Sequence, residues 1–226
     1  MRGRTFVGAV TAIVGTVLLA ATPRAGRAQT AQIPIGWHGL NGDYLIGTEI
    51  AQRPGGAGIH AATILSKSST PRSAGLLFQS IKADDFKGAR VELAAYVKTE
   101  HGDAGSAHLW LRVDGADKTL CSDYMLGRPI QPGKDWAVYS IVLDVPADAV
   151  GITFGVAQDG PGQLWVDDFS LAVTTENVTP SGQRGGLYGY SALPNGALDA
   201  PFAKAYAQAP RRPVNLDFEQ IAIAAR

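Results

Sequence analysis

The chain has 226 residues, with 20 basic and 20 acidic side chains and no formal net charge. That balance gives no electrostatic ground for a nucleic-acid partner or for an anionic membrane surface. A single cysteine, Cys121, excludes an intrachain disulfide and a four-cysteine metal site.

The first stretch reads as a leader. Arg2 and Arg4 precede an apolar run from Phe6 to Ala21, and a small-residue site follows at Ala25-Gly26-Arg27-Ala28. This is the layout of a signal peptide over residues 1–28, with cleavage after Ala28. The run is about 16 residues, short of the ~20 that a spanning helix needs. The expected location is therefore periplasmic or secreted, with no membrane attachment after cleavage. Gly3 separates the two arginines, so there is no twin-arginine signal. No cysteine lies near the cleavage point to take a lipid.

Beyond the leader, glycine and proline punctuate short runs of Val, Ile, Leu, Tyr and Trp, which is the pattern of an all-β sandwich. Trp37 to Tyr44 reads as a loop entering an extended segment, and Arg53-Pro54-Gly55-Gly56 as a turn. Strands are expected at Ala61–Ser66 and Gly75–Lys82. Arg90 to Thr99 alternates most clearly, with Val91, Leu93, Ala95 and Val97 on a core-like face. His108 to Asp114 repeats this with Leu109, Leu111 and Val113, leaving His108, Trp110, Arg112 and Asp114 for a half-solvated face. Further strands follow at Lys118–Cys121, Trp136–Asp144, Val150–Ala157 and Gly162–Leu171. Strict alternation in the last would put Leu164, Val166, Asp168 and Ser170 on one face and Trp165, Asp167, Phe169 and Leu171 on the other. The total is about eight or nine strands, spaced as in a sandwich. Residues 33–173 form this domain. Residues 174–213 are an irregular arm rich in Pro, Gly, Ala and Ser, and residues 214–219 are strand-like again.

These residues resemble a family. Val91-Glu92-Leu93-Ala94-Ala95-Tyr96-Val97, Leu109-Trp110-Leu111-Arg112-Val113-Asp114-Gly115, Leu143-Asp144-Val145-Pro146 and Trp165-Val166-Asp167-Asp168-Phe169 are similar to segments of jelly-roll carbohydrate-binding-module-like domains. Those are galactose-binding-like sandwiches, of the type found as accessory or sensor domains in proteobacterial proteins. The resemblance covers about Trp37 to Val173 and implies an antiparallel jelly roll. The fold is shared without a shared ligand. In that family a strand resembling Asn-Leu-Asp-Phe-Glu stands before the Gly-Trp loop. Here Gly36-Trp37 lacks it, and Asn215-Leu216-Asp217-Phe218-Glu219 stands at the far end instead. The expectation is a C-terminal strand returning to the sandwich beside Asp167 and Asp168. A stub of a second repeat, a strand donated to another molecule and a disordered tail are the alternatives.

The resemblance also implies a possible structural calcium, with Asp167, Asp168 and Glu219 as ligands. Read as residues, the aspartates equally suit capping backbone groups at a strand edge. Glu92, Tyr96, Lys98, His108, Trp110 and Arg112 are expected to share one sheet face, where aromatic rings beside polar groups suit a carbohydrate. The alternative is an exposed face, or one covered by the arm through Tyr188, Tyr190 and Phe202. Asp123 and Arg128 stand at its rim, to bind ligand or to pair with each other. The four histidines have no metal-like spacing. Asn177-Val178-Thr179 matches a glycosylation sequon. No phosphate loop, dinucleotide fingerprint or hydrolase elbow is present. The reading is an exported, non-catalytic binding module for a carbohydrate or other small polar ligand. A structural or protein-interaction domain is the alternative, and a small hydrolase is a third reading.

Overall fold

The computed structural model describes residues 32–40, 42–100, 105–175, 177–184 and 206–221. The leader, His101, and the arm residues Tyr188, Tyr190 and Phe202 lie outside the described residues. Eleven strands are described: β1 His38–Leu40, β2 Tyr44–Ile50, β3 His60–Ser66, β4 Gly75–Lys82, β5 Arg90–Thr99, β6 Ser106–Asp114, β7 Thr119–Asp123, β8 Ala137–Asp144, β9 Gly151–Asp159, β10 Gln163–Val173 and β11 Gln183–Arg184. They form two antiparallel sheets. The larger runs β1-β4-β9-β6-β7-β11 and the smaller β2-β3-β10-β5-β8. The chain is thus an all-β sandwich, as its punctuation predicts. The short β1 and β11 carry too few alternating positions to announce themselves, and β2 is the extended segment expected after the Trp37–Tyr44 loop.

Alternation sets the inner faces. Val91, Leu93, Ala95 and Val97 of β5 meet Leu109, Leu111 and Val113 of β6 in one core, with Ile152, Phe154 and Val156 of β9. Burying such side chains contributes roughly 1.5–3 kcal/mol each. Two expectations fail here. First, β6 is buried on both faces: His108, Trp110, Arg112 and Asp114 are as enclosed as their inward neighbours. Phe78 of β4, with Tyr124 and Tyr206 from outside the strands, covers this face, which a single strand's pattern cannot report. Second, Phe169 points into the core beside Leu164 and Val166. A bulge between Asp167 and Ser170 inserts one extra residue opposite β5, and Asp168 takes a positive φ of 47°. An extra residue inverts the facing of everything after it.

The C-terminal residues lie against the sandwich. Residues 214–219 are a turn, not the expected strand, with positive φ at Asn215 and Phe218. The Trp37 Nε1–H donates to the Asn215 carbonyl at 3.0 Å, and the Phe169 N–H to the Leu216 carbonyl at 2.9 Å. Gln79 brackets Val214 from its side-chain amide, accepting from the N–H at 2.8 Å and donating to the carbonyl at 3.0 Å. Phe218 is fully buried between Trp37 and Phe169, with ring centroids 5.1 and 6.1 Å away. The positive φ values explain the missing ladder: two left-handed residues within five cannot continue an extended strand.

A second segment closes the open edge between the sheets. The Ser181 N–H donates to the Val142 carbonyl of β8 at 2.8 Å, while β11 pairs with β7 of the other sheet. The exposed carbonyl of Val178 accepts from Arg90 at 2.8 Å.

Candidate functional site

The outer face of the larger sheet is built in rows, because register places side chains on neighbouring strands side by side. One row joins Phe78, Gly155 and Trp110 across β4, β9 and β6. The ring of Trp110 lies 5.9 Å from Phe78 and stacks on Tyr124 at 5.9 Å and 10°. His38 of β1 extends the row at 5.6 Å from Phe78. The next row is polar: Ser80, Thr153, Arg112 and Ser122. The third places Lys82, Gly151 and Asp114 together.

Tyr206 caps that third row. Its hydroxyl donates to Asp114 Oδ2 at 2.5 Å and lies 2.6 Å from Thr153 Oγ1. Its ring lies on Gly151, where a Cβ would stand 2.2 Å from the ring carbons. Only glycine admits that approach. Arg112 Nε donates to the same Asp114 carboxylate at 2.9 Å, and the Thr119 hydroxyl to its other oxygen at 2.8 Å. Burial, reinforced by Asp114, pushes the Tyr206 hydroxyl pKa up. Burial acts to lower Arg112, but Asp114, Tyr206 and Tyr124 beside it outweigh this and raise it. The guanidinium and carboxylate are a buried pair.

Trp110 is only 1% exposed. Among the described residues nothing hydrogen-bonds to Trp110 Nε1, Ser122 Oγ or His108 Nδ1, all three buried. Buried polar groups without partners are uncommon and costly.

The face opens at its rim. A cleft of about 360 Å³ is lined by Ser122, Asp123, Tyr124, Leu126, Arg128 and Ser181, among others. Its shape depends on a tight turn after β7. Met125 takes φ 52°, the Asp123 carboxylate accepts the Met125 N–H at 2.8 Å, and the Arg128 N–H returns to the Met125 carbonyl at 2.9 Å. The second Asp123 oxygen accepts from Arg128 at 2.6 Å. Of the two roles expected for Asp123 and Arg128, pairing with each other is the one the structure contains. The Arg128 side chain is still 40% exposed at the cleft. Burial raises the Tyr124 hydroxyl pKa, with Arg112 beside it acting to lower it.

The expected single face divides in two. His108, Trp110 and Arg112 lie on the larger sheet, whereas Glu92, Tyr96 and Lys98 belong to β5 in the smaller sheet and look the opposite way. β5 and β6 are consecutive but cross between layers, so similar alternation did not make them neighbours. Tyr96 lies beneath Arg53, with the guanidinium carbon 3.7 Å from its centroid. Lys98 reaches over Trp165 at 5.7 Å. The Trp165 indole N–H donates to Glu49, which is buried beside it.

The carboxylates proposed for calcium are near one another but do not fit that ion. Asp168 is paired with Arg53, whose Nε is also 3.8 Å from Asp167 Oδ2. The other Asp167 oxygen accepts the Asp168 N–H at 2.8 Å. Glu219 Oε1 accepts the Ile59 and His60 N–H groups at 2.7 and 2.8 Å, and Oε2 lies 2.8 Å from His60 Nδ1. Burial pushes Glu219 up, but these bonds outweigh it and hold it low. Burial, with Asp168 and Glu219 adding to it, pushes Asp167 up to about 6 despite the bond from the Asp168 N–H and the Arg53 charge. Calcium needs 6–8 oxygens. Among the described residues no group of three or more His, Cys, Asp or Glu is placed to hold a metal.

Cys121 borders a second, largely apolar cleft of about 440 Å³ with Leu120, Leu143, Val145 and Pro146. Its thiol donates to the Asp144 carbonyl at 3.3 Å.

The sequence missed Ser122 and Tyr124, although they flank Asp123, which it singled out. It also missed Arg53 and Tyr206, which have no local signal because each acts through residues far along the chain.

No family model matches the chain. It is 37% identical over 145 residues to an uncharacterized HTH-type transcriptional regulator, YbfP, of Bacillus subtilis (strain 168). The match covers 64% of this chain and 42% of that protein, so the chain spans less than half of the relative's length. Among solved structures, the enzymatically active domain of bacteriophage CBA120 tailspike protein 4 matches 67% of this chain and 21% of its own, at 13% identity and a TM-score of 0.48. The CBM22-1 xylan-binding domain of Paenibacillus barcinonensis Xyn10C matches 66% of this chain and 97% of its own, at 16% identity and a TM-score of 0.45. The CBM22-1–GH10 modules of Clostridium thermocellum Xyn10B match 68% and 29%, at 16% and 0.45. At such scores these likenesses say nothing about what this chain binds.

Proposed function

We propose that the protein is an exported, non-catalytic module, periplasmic or secreted, that binds a carbohydrate or other small polar ligand in the cleft at Ser122, Tyr124 and Arg128. The observation that supports this reading is the cleft itself. Its volume of about 360 Å³ lies in the range of small-ligand sites. The Ser122 hydroxyl beside it is unpartnered among the described residues, and Tyr124 is backed by the stacked ring of Trp110. A hydroxylated ring needs both an apolar surface and convergent hydrogen-bonding groups, and this rim offers them together.

Binding rather than turnover is favoured by His108. Both of its polar contacts, Ser106 Oγ at 3.2 Å and Asp159 Oδ2 at 3.0 Å, fall on the same nitrogen, Nε2. A nucleophile–base–acid relay needs one partner on each ring nitrogen. The Asp167 carboxylate, buried in β10, is in the opposite sheet and is not placed to act with His108. A module that binds would also suit reuse inside a larger protein, and part of this chain is similar to part of a regulator.

The test is calorimetric titration of the full chain against a panel of neutral and acidic oligosaccharides, with tryptophan fluorescence as the second readout. Saturable binding that is lost in a folded Tyr124→Ala variant is expected. Silence across the panel, or binding that Tyr124→Ala leaves unchanged, overturns the proposal.

A further inference from the structure

We infer that Arg53 is a built-in cation, its guanidinium standing where a divalent ion would otherwise be needed to close the end of β10 against the C-terminal residues. The inference is independent of the ligand reading.

Three carboxylates converge there. Asp167 and Asp168 occupy the bulge of β10, and Glu219 arrives from the C-terminal turn close enough to act on Asp167. Asp167 is 3% exposed, and a carboxylate so enclosed beside two others needs a positive partner. Arg53 supplies one. It donates to Asp168, approaches Asp167, and is itself buried. Its own position is fixed in two ways. The flat guanidinium lies on the Tyr96 ring, and the Arg53 carbonyl accepts the Gly56 N–H at 3.0 Å in the Arg53–Gly56 turn. A guanidinium does not lose its charge at any ordinary pH, so the cation is a permanent one.

The bulge shows why the pairing is specific. The left-handed φ at Asp168 turns its carboxylate away from the position that strand alternation would dictate. With a regular strand there, the two aspartates would point to opposite faces and could not share one cation. Glu219 is meanwhile engaged by His60 and two backbone N–H groups, with a partner on each of its oxygens. The same locality therefore gathers acids, excludes a divalent ion, and holds the last strand to the C-terminal residues through the Phe169–Leu216 hydrogen bond.

Thermal melting of the full chain, with calcium at millimolar concentration or with a chelator, tests this directly. The melting temperature of the natural chain should not move in either condition, and calorimetry should show no calcium binding. Arg53→Met should melt roughly 6 °C or more lower, because it leaves buried carboxylates unpaired. Millimolar calcium should then return about 2–4 °C of that loss, as a ligand that binds only the folded state does. Arg53→Lys keeps the charge without the fork, so it should fold and remain indifferent to calcium. A natural chain that loses stability on chelation, or that binds calcium, overturns the inference. So does an Arg53→Met chain that folds and does not respond to calcium. If Arg53→Met does not fold, the decision falls to Arg53→Lys: a calcium response in that variant overturns the inference and indifference supports it.

Discussion

The Trp37 indole N–H donates to the carbonyl of Asn215, linking the start of the described domain to its last turn at 3.0 Å. Around this bond Phe218 enters the core between Trp37 and Phe169. The C-terminal residues are therefore a structural part of the sandwich. Phe218→Ala should cost about 3–5 kcal/mol, the usual loss for a large buried aromatic. Urea unfolding of the variant checks this. A loss below 1 kcal/mol would show that the turn is only laid on the surface.

Asp167 makes stability depend on pH in a stated direction. Its ordinary pKa is 3.8 and burial lifts it to about 6 in the folded chain. The folded state then holds the proton more tightly than the unfolded state. The associated stability is complete below about pH 4, falls as the pH rises toward 6, and is gone above it. Asp167→Asn keeps an oxygen for the Asp168 N–H and has no charge to bury. The variant should lose this fall and be more stable than the natural chain at neutral pH, by on the order of 2 kcal/mol. Melting curves from pH 3.5 to 7.5 decide it, and parallel curves for the two proteins would refute the assignment.

Tyr206 should contribute chiefly through its hydroxyl. Tyr206→Phe keeps the ring on Gly151 and removes the donor to Asp114, for a cost of about 1–2 kcal/mol in denaturant unfolding. Gly151→Ala should cost more, since its Cβ would meet the Tyr206 ring. A Gly151→Ala chain as stable as the natural one would mean that the ring does not rest there.

Arg128 separates binding from folding. Its pair with Asp123 is partly exposed, and such pairs add about 1 kcal/mol or less to stability. At the cleft, however, it offers several donors. Arg128→Ala should leave the melting temperature within about 3 °C of the natural value. It should also weaken oligosaccharide binding about tenfold, the equivalent of ~1.4 kcal/mol. Unchanged affinity in titration calorimetry would remove Arg128 from the site.

The sequence by itself determined the layer class and most of the inner faces. Period-two alternation in Arg90–Thr99 and His108–Asp114 follows from the pleat of one strand, which is a local property. It also marked the Asp123–Arg128 pair, because both residues lie in one short turn. Tertiary structure alone decided the rest. Whether Tyr96 and Trp110 share a face depends on the order of strands in two sheets, and that order places them on opposite outsides. The enclosure of Trp110 depends on Phe78 and Tyr124, which come from other strands and turns. The facing of Phe169 depends on a bulge, and the role of Arg53 on aspartates more than a hundred residues later. Each of these is a contact between distant segments, and alternation within one strand carries no information about what that strand will meet.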